Sequence, residues 1–163
     1  MAEEKPAHKQ DALTVALRFL SYRPRSVYEA SEKLKSKGFS EPEINSALDY
    51  LLKSGYLDDE KFADLLLGSR TRNKNWGLRK ITAELDSKGI SKDIIKKIVG
   101  EVDSAQEAQT AKAAFDKWVK KNRAQAPLER KEFEKAFRFL HGRGFSTSAI
   151  FSVLNGFKND SIE

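Results

Sequence analysis

The stretch LKSKGFS, at residues 34–40, occurs three times in this chain in closely similar form. It returns as LDSKGIS at residues 85–91 and as LHGRGFS at residues 140–146. In each copy a leucine is the last apolar residue of one helix, a glycine suits the left-handed position that ends it, and a serine suits the cap of the next helix. Basic residues before the glycine favour the negative end of the first helix dipole. Each copy is therefore predicted to be a tight turn between two helices.

The similarity extends beyond the turn on both sides, at the three-and-four spacing of a buried helical face. The equivalent apolar sets are Val27, Leu78 and Phe133; Ala30, Ile81 and Ala136; Ile44, Ile95 and Ile150; Ala47, Ile98 and Val153; Leu48, Val99 and Leu154; and Leu51, Val102 and Phe157. Three unrelated helical hairpins would not keep these positions in register. The chain is therefore predicted to contain an internal repeat.

The same patterns predict the fold class and the domain boundaries. No segment alternates with period two for long enough to indicate a sheet. We therefore predict an all-α protein in which three tandem three-helix units form an elongated, curved helical-repeat array. The predicted segments are a flexible N-terminus at residues 1–10, repeat 1 at 11–57, repeat 2 at 58–104, repeat 3 at 105–157 and a polar tail at 158–163.

The composition is typical of a soluble helical protein with a modest core, since 39% of the 163 residues are apolar and 33% are charged. No apolar run approaches the roughly 20 residues that a membrane span needs, and the first residues lack the apolar region of a signal peptide. A cytoplasmic location is therefore predicted, and the absence of cysteine agrees with a reducing compartment. The formal net charge of +6 favours an acidic partner.

Two serines are predicted to begin helices with capping boxes, Ser26 with Glu29 and Ser40 with Glu43. The acidic run at residues 58–60 is the only dense carboxylate cluster in the sequence. Two-carboxylate catalysis needs a cleft and separated pKa values, which nothing nearby supplies. These acids are therefore predicted to stabilise the positive end of a helix dipole.

The sequence contains no recognisable motif for catalysis or for binding a cofactor. There is no cysteine nucleophile, and neither His8 nor His141 lies at a plausible triad spacing. No glycine-rich phosphate loop occurs, and no helix carries metal ligands at a suitable spacing. The chain is therefore predicted to be a binding protein, with no catalytic residue, no cofactor and no metal.

The helix predicted at residues 59–74 is expected to bury one side, formed by Phe62, Leu65, Leu66 and Ser69. Its basic end exceeds what helix capping requires, and Trp76 beside it could stack on a partner. A solvated basic face is one interpretation, and a contact with the phosphates or carboxylates of a partner is the other. The cations of this segment are Arg70, Arg72, Lys74, Arg79 and Lys80.

The helix predicted at residues 11–22 has a second apolar stripe, formed by Val15, Phe19 and Tyr22. This stripe either packs against a neighbouring unit or remains exposed as a binding surface. Packing is favoured, because exposed apolar patches are uncommon on soluble monomers.

Several motifs together resemble the RecX family of recombination regulators. They are GYLDD at residues 55–59, the basic helix end at Ser69-Arg70, the segment 77–81, and KGIS at residues 88–91. The resemblance covers residues 12–157 and is most specific in repeat 2. It is looser in repeat 3, where a longer loop containing Pro127 separates the first two helices.

The resemblance implies three tandem three-helix units and a regulator without catalytic activity. Members of the family bind the RecA–DNA filament within its helical groove, limit its ATPase and strand-exchange activities, and so restrain recombination and SOS induction. The expected partner is thus the RecA filament on single-stranded DNA, with weak direct contact to DNA and no membrane. A monomer is the expected state.

The choice of contact residues rests on the physical interpretation of the basic segment. The central patch consists of Arg70, Arg72, Lys74, Arg79 and Lys80 with Trp76 as anchor, and the second-rank candidates are Arg23 and Arg25. An independent DNA-binding module is the alternative, since each hairpin resembles a helix-turn-helix. Only Lys92, Lys96 and Lys97 could then contact DNA from a recognition helix.

Overall fold

The computed structural model describes residues 10–159, which form nine α-helices and no strand. The prediction of an all-α helical-repeat fold is therefore confirmed. The proposed N-terminal segment up to residue 9, with His8, and tail residues 160–163 lie outside the described residues. The helices are α1 Ala12–Leu20, α2 Val27–Ser36, α3 Glu41–Lys53, α4 Asp59–Lys74, α5 Leu78–Ser87, α6 Lys92–Gly100, α7 Ser104–Asn122, α8 Arg130–Gly142 and α9 Thr147–Asn159.

The chain packs as two compact units. Within the described residues, the first contains residues 10–62 together with Lys88–Ile90, and the second contains Ala63–Ser87 and residues 91–159. The division into three repeats stays a prediction, and we keep the terms repeat 1, 2 and 3 for α1–α3, α4–α6 and α7–α9.

The three glycine turns have the backbone that the sequence predicted. The φ angles of Gly38, Gly89 and Gly144 are 83°, 72° and 89°, a region that L side chains rarely adopt. In repeat 1 the Phe39 N–H donates to the Leu34 carbonyl at 3.3 Å, as expected when a left-handed residue ends a helix. The turn is thus encoded locally, by a glycine that lies between the last apolar residue of one helix and the apolar residue after the turn.

The core of the first unit lies between α1, α2 and α3. Ala16 and Ala30 are 1% and 0% exposed, and their small side chains let the helices approach closely. Leu34, Ile44 and Leu51 fill the space between them and are essentially buried. Burying one such side chain contributes about 1.5–3 kcal/mol.

The second unit contains the core of repeat 3, which is rich in aromatic side chains. The rings of Phe115 and Trp118 on α7 lie 5.8 Å apart and nearly parallel, while Phe157 of α9 meets Phe115 edge-on at 5.1 Å. Leu140 and Phe145 are buried beside them. The longest helix, α7, therefore packs on α8 and α9 through its apolar face.

In the first unit, the turn of repeat 2 lies against the beginning of α2. The Ser26 hydroxyl donates to the Lys88 carbonyl at 2.7 Å, and the Lys88 ammonium lies 3.0 Å from the Glu29 carboxylate. A methyl group added at Gly89 would lie 2.4 Å from Cβ of Tyr28. Glycine is therefore required here for close approach as well as for its φ angle.

In the second unit, the turn of repeat 3 lies against the beginning of α5 in the equivalent way. The Gly77 N–H donates to the Arg143 carbonyl at 2.8 Å, and the Arg79 N–H donates to the Gly144 carbonyl at 3.1 Å. A methyl group added at Gly144 would lie 2.4 Å from the Lys80 nitrogen. Gly77 and Gly144 thus occupy the positions of Ser26 and Gly89 in the other junction.

The capping box predicted at Ser26 and Glu29 is present, and Glu29 is also part of an ionic network. Burial alone would raise the pKa of Glu29. Hydrogen bonds from Arg23, Lys88 and the Ser26 backbone N–H, with the charge of Arg23, outweigh burial and lower the pKa to about 2. The carboxylate therefore stays ionised well below its ordinary range.

Glu29→Gln is expected to lower the free energy of unfolding by about 2 kcal/mol at pH 6, allowing for partial solvent screening. Because folding lowers the pKa of Glu29, its contribution is complete above about pH 4.5 and is lost as the pH falls toward 2. Urea unfolding of both proteins between pH 6 and pH 3 should show the difference shrinking with acid. A difference that stays constant over this range would contradict the assignment.

Candidate partner-binding surface

The turn between α4 and α5 holds Trp76 in a fixed position. Asn75 has φ of 49°, which asparagine tolerates better than most residues, and it is 7% exposed. The Trp76 N–H donates to the Arg70 carbonyl at 3.2 Å. The Lys117 ammonium on α7 donates to the Asn75 side-chain oxygen at 2.6 Å and so supports the turn from repeat 3.

Three cations surround the indole ring of Trp76. The Lys80 ammonium lies 4.3 Å from the ring centroid, the Lys74 ammonium 5.3 Å, and the Arg70 guanidinium carbon 5.5 Å. All three distances fall within the range of cation–π attraction. We call Arg70, Lys74, Trp76 and Lys80 the indole cluster.

Arg70 is neutralised inside this cluster by Glu84 of α5. Its Nε donates to Glu84 Oε2 at 2.7 Å, and Nη2 donates to the other carboxylate oxygen. These hydrogen bonds raise the pKa of Arg70. Both side chains are largely shielded, at 24% and 19% exposed. Arg70 was predicted as a central contact, but its donors already join α4 to α5.

Arg70→Gln is expected to lower the free energy of unfolding by about 2 kcal/mol, because it leaves a shielded Glu84 carboxylate without its two-donor partner. Arg72→Gln is the matched control, since the Arg72 side chain lies two residues away on the exposed surface. It should change stability by no more than about 0.5 kcal/mol. Equal effects of the two substitutions on urea unfolding would contradict a structural role for Arg70.

The remaining cations of the predicted patch have different surroundings. Arg72, Lys74 and Lys80 form no ion pair across the part of the chain that the structure describes. Arg72 lies over Gly68, where an added methyl group would be 2.8 Å from its Nη2 atom. Arg79 instead lies against His141 of α8, with 3.0 Å between Nη1 and His141 Nε2 and 2.6 Å between Nη2 and the His141 carbonyl.

Repeat 3 adds two cations to this surface that were not among the predicted contact residues. Arg143 donates from Nη1 to the Lys74 carbonyl at 2.6 Å, and Lys117 contacts Asn75 as described above. Arg143 belongs to the third copy of the turn motif, which was the available signal for its position. The long sequence separation of 69 residues from Lys74 hid the contact.

The second-rank candidates lie in the first unit. Arg23 is paired with Glu29 at 2.7 Å. The guanidinium of Arg25 lies 3.9 Å from the ring centroid of Phe19, its Nε is buried without a hydrogen-bond partner, and burial lowers its pKa. Arginine remains protonated under these conditions. Neither residue belongs to the indole cluster.

Repeats 1 and 2 each carry an aromatic residue and an arginine at two equivalent positions, but the two residue types are exchanged between them. Counted from the leucine of the turn, Phe19 and Arg25 in repeat 1 correspond to Arg70 and Trp76 in repeat 2. In both repeats one aromatic ring and one guanidinium pair across the turn that precedes the second helix. The pair is therefore a structural element of the repeat, and the lysines added around Trp76 distinguish repeat 2.

The described residues contain neither a candidate metal-binding group nor a candidate membrane-spanning helix. Within residues 10–159, no group of three or more His, Cys, Asp or Glu side chains is placed to hold a metal ion. Over the same residues, none of the helices combines the length and the apolar character needed to cross a membrane.

Comparison with protein-family models identifies two matching domains. Residues 12–51 match the model described as the first three-helix domain of RecX, and residues 58–97 match the second three-helix domain. The first match covers α1, α2 and most of α3, and the second covers α4, α5 and most of α6.

Full-length relatives and solved structures agree with these matches. Regulatory protein RecX of Chlorobium limicola is 34% identical over 143 residues, covering 87% of this chain and 86% of the relative. The Vibrio parahaemolyticus protein of the same name is 30% identical and covers 95% and 97%. The crystal structure of RecX from Lactobacillus salivarius superposes with a TM-score of 0.80 at 21% identity, covering 93% of this chain and 96% of that chain, which shows a shared fold.

Proposed function

The chain belongs to the RecX family of regulatory proteins, and from this premise we propose that it binds the RecA–DNA filament and restrains RecA. It limits RecA ATPase and strand exchange, and through them recombination and SOS induction. It acts in the cytoplasm, without catalysis and as a monomer. Its relatives bear the name of regulatory proteins, which supports a role in control.

The observation that carries this proposal is the unpaired positive charge of Lys74 and Lys80 beside Trp76 and of Arg72 on the same helix end. Arg72 and Lys74 are exposed and Lys80 is half-buried against the indole, and none of them is held in an ion pair within the described residues. A nucleoprotein filament presents phosphates and carboxylates at regular intervals, so a rigid group of cations can meet several anions at once. Arg70 supports the group, because its pairing with Glu84 fixes the helix ends that present the other cations.

A second candidate function is direct DNA binding without RecA. Helix α6 follows the turn of repeat 2 and exposes Lys92, Lys96 and Lys97. A helix in this position of a helix-turn-helix enters the major groove. The described parts of α3 and α9 expose few cations, so α6 is the favoured recognition helix in this alternative.

Co-sedimentation with preformed RecA filaments on single-stranded DNA tests the first proposal. The chain should pellet with filaments and should remain mostly in the supernatant with DNA alone or with unassembled RecA. ATP hydrolysis by RecA, measured in the same samples, should fall as the bound fraction rises. No pelleting with filaments above these two controls would contradict the proposal.

Salt dependence separates the two candidate functions. Binding to naked duplex DNA through α6 should weaken steeply with salt, with a slope set by the number of phosphates neutralised. Tight binding of duplex DNA without RecA, abolished when Lys92 and Lys96 are replaced by Glu, would favour the alternative. Weak binding of single strands alone is compatible with the filament proposal.

A further inference from the structure

The turn between α4 and α5 is joined to repeat 3 by hydrogen bonds along its whole length. The Lys74 carbonyl accepts from Arg143 Nη1 at 2.6 Å, and the Gly77 N–H donates to the Arg143 carbonyl at 2.8 Å. Between these two contacts, the Asn75 side-chain oxygen accepts from the Lys117 ammonium at 2.6 Å. The turn that carries the indole is therefore held by repeat 3.

Asparagine is not the residue that the backbone of this turn favours most. The Asn75 N–H donates to the Thr71 carbonyl at 3.2 Å. The N–H of Trp76 donates to the Arg70 carbonyl at 3.2 Å, which completes the pattern of a helix that ends with a left-handed residue. Glycine adopts a φ angle of 49° more readily than asparagine and would end α4 at least as well. The backbone of the turn therefore does not account for the asparagine side chain.

The bond to Lys117 gives the Asn75 side chain a different use. Asn75 is 7% exposed, and a hydrogen bond from a charged donor into a shielded site is stronger than one at the surface. Lys117 lies 42 residues further along the chain, so this bond fixes the turn against α7. In repeat 1, Pro24 stands at the position of Asn75, and its side chain cannot accept a hydrogen bond. The bond thus belongs to repeat 2, whose turn carries the lysines around Trp76.

We propose that Asn75 and Lys117 are positioning residues for the indole cluster, and that holding this cluster in place is a role of repeat 3 in partner binding. The proposal rests on the proposed function, in which the cluster contacts the filament. A cation presented from a fixed turn loses less conformational freedom on binding than one presented from a mobile turn. Lys117 acts through Asn75 and does not itself contact the partner. We call the bond between these two side chains the Asn75–Lys117 link.

Asn75→Gly removes the link and supplies a residue that suits the backbone. The urea midpoint should stay nearly unchanged, because the better fit of glycine to a φ angle of 49° offsets the lost hydrogen bond. Filament binding, measured by co-sedimentation at fixed salt, should nevertheless weaken about tenfold, the factor that corresponds to one charge-assisted hydrogen bond. A purely structural role of Asn75 would not produce this combination.

Lys117→Met removes the link from its other end and should weaken filament binding by a similar factor. The double variant should bind no more weakly than Lys117→Met alone, because both changes break the same bond. Lys117→Arg keeps a charged donor and should restore most of the binding. Lys120→Met is the matched control, since it removes the same charge from an exposed position on the same helix. It should leave binding within about twofold, because an exposed charge away from the contact is largely screened.

The mobility of the Trp76 ring provides a measurement that does not involve RecA. The chain has two tryptophans, and Trp118, 8% exposed in the core of repeat 3, is the internal reference. The heteronuclear NOE of the Trp76 indole N–H should fall in Asn75→Gly and in Lys117→Met, while that of Trp118 should not change. Lys117→Arg should restore the Trp76 value.

The variants separate positioning from direct contact. Weak filament binding by Lys117→Met together with normal binding by Asn75→Gly would show that Lys117 contacts the partner itself, and would overturn the proposal. An unchanged Trp76 NOE in both variants would also overturn it, because the link would then not fix the ring. Failure of the unmodified chain to pellet with filaments would instead contradict the proposed function, and the indole measurement would still decide whether the link positions the cluster.

Discussion

Gly144→Ala is expected to lower the free energy of unfolding by about 3 kcal/mol or more. Alanine at φ of 89° costs about 1–2 kcal/mol in backbone strain alone. The new methyl group would also lie 2.4 Å from the Lys80 nitrogen, and backbone cannot yield as a flexible side chain can. Relief of this contact requires separation of the turn from α5, which breaks the hydrogen bonds of Gly77 and Arg79 to the turn. Urea unfolding followed by far-UV circular dichroism measures the loss.

Gly142→Ala is the matched control, two residues earlier at the last position of α8. A methyl group at Gly142 would have no neighbour within 4 Å, and its φ angle is not in the left-handed region. Alanine there should be neutral or stabilise the helix by up to about 1 kcal/mol. If Gly144→Ala unfolds at the same urea concentration as Gly142→Ala, the junction between α5 and the turn of repeat 3 does not contribute to stability as described.

Reversal of three cations, Arg72, Lys74 and Lys80 to Glu, is expected to weaken filament binding at least about 100-fold. Each reversal removes an attraction and adds a repulsion, and about 1 kcal/mol at each of the three positions is enough for this factor. The free energy of unfolding should fall by about 1–2 kcal/mol, because these side chains form no ion pair among the described residues but Lys74 and Lys80 lose their cation–π contacts with Trp76. Arg70 is left unchanged, since its substitution would alter the fold and the charge together. Co-sedimentation at fixed salt measures the loss of binding.

A triple reversal elsewhere keeps the change in net charge the same. Lys112, Lys131 and Lys135 are exposed on α7 and α8, and their replacement by Glu gives the matched control. This control should bind filaments within a few-fold of the unmodified chain at about 0.15 M salt, where distant charges are screened. Equal weakening by the two triple variants would show that only net charge matters and that the indole cluster is not a contact surface.

Features with a local physical cause were predictable from the sequence. The left-handed glycines and the Ser26 capping box each depend on residues within one turn of the chain, and the structure contains both. The apolar positions of the repeat were also correct where all three copies agree, as at Leu34, Leu85 and Leu140. Such patterns need no knowledge of which helix packs on which.

Features that depend on packing between distant segments were missed. Leu65 was expected to be buried beside Phe62 and Leu66, but it is 51% exposed, because the buried side of α4 includes Ala63 instead. Spacing alone cannot choose between two adjacent apolar stripes of one helix. The sequence likewise could not assign Glu84 to Arg70, since any nearby acid was an equal candidate until the helices were placed.

The surroundings of Trp76 combine features that were predictable from the sequence with features that were not. Its place beside a basic helix end followed from the sequence, and the three cations around its ring follow from the turn that brings α5 back toward α4. Which of those cations remains unpaired required the position of Glu84. Of the five cations of the predicted patch, we therefore propose Arg72, Lys74 and Lys80 as the partner contacts, because Arg70 is paired with Glu84 and Arg79 lies against His141.

Lysine footprinting on the filament tests the central proposal most directly. The chain is acetylated with an amine-reactive reagent, alone and bound to RecA filaments, and each lysine is quantified by mass spectrometry. Lys74 and Lys80 should lose most of their reactivity on the filament. Lys53 on α3 and Lys112 on α7, each paired with a carboxylate one turn away on its own helix, should keep theirs. Unchanged reactivity at Lys74 and Lys80 in a filament-bound chain would contradict a contact through the indole cluster.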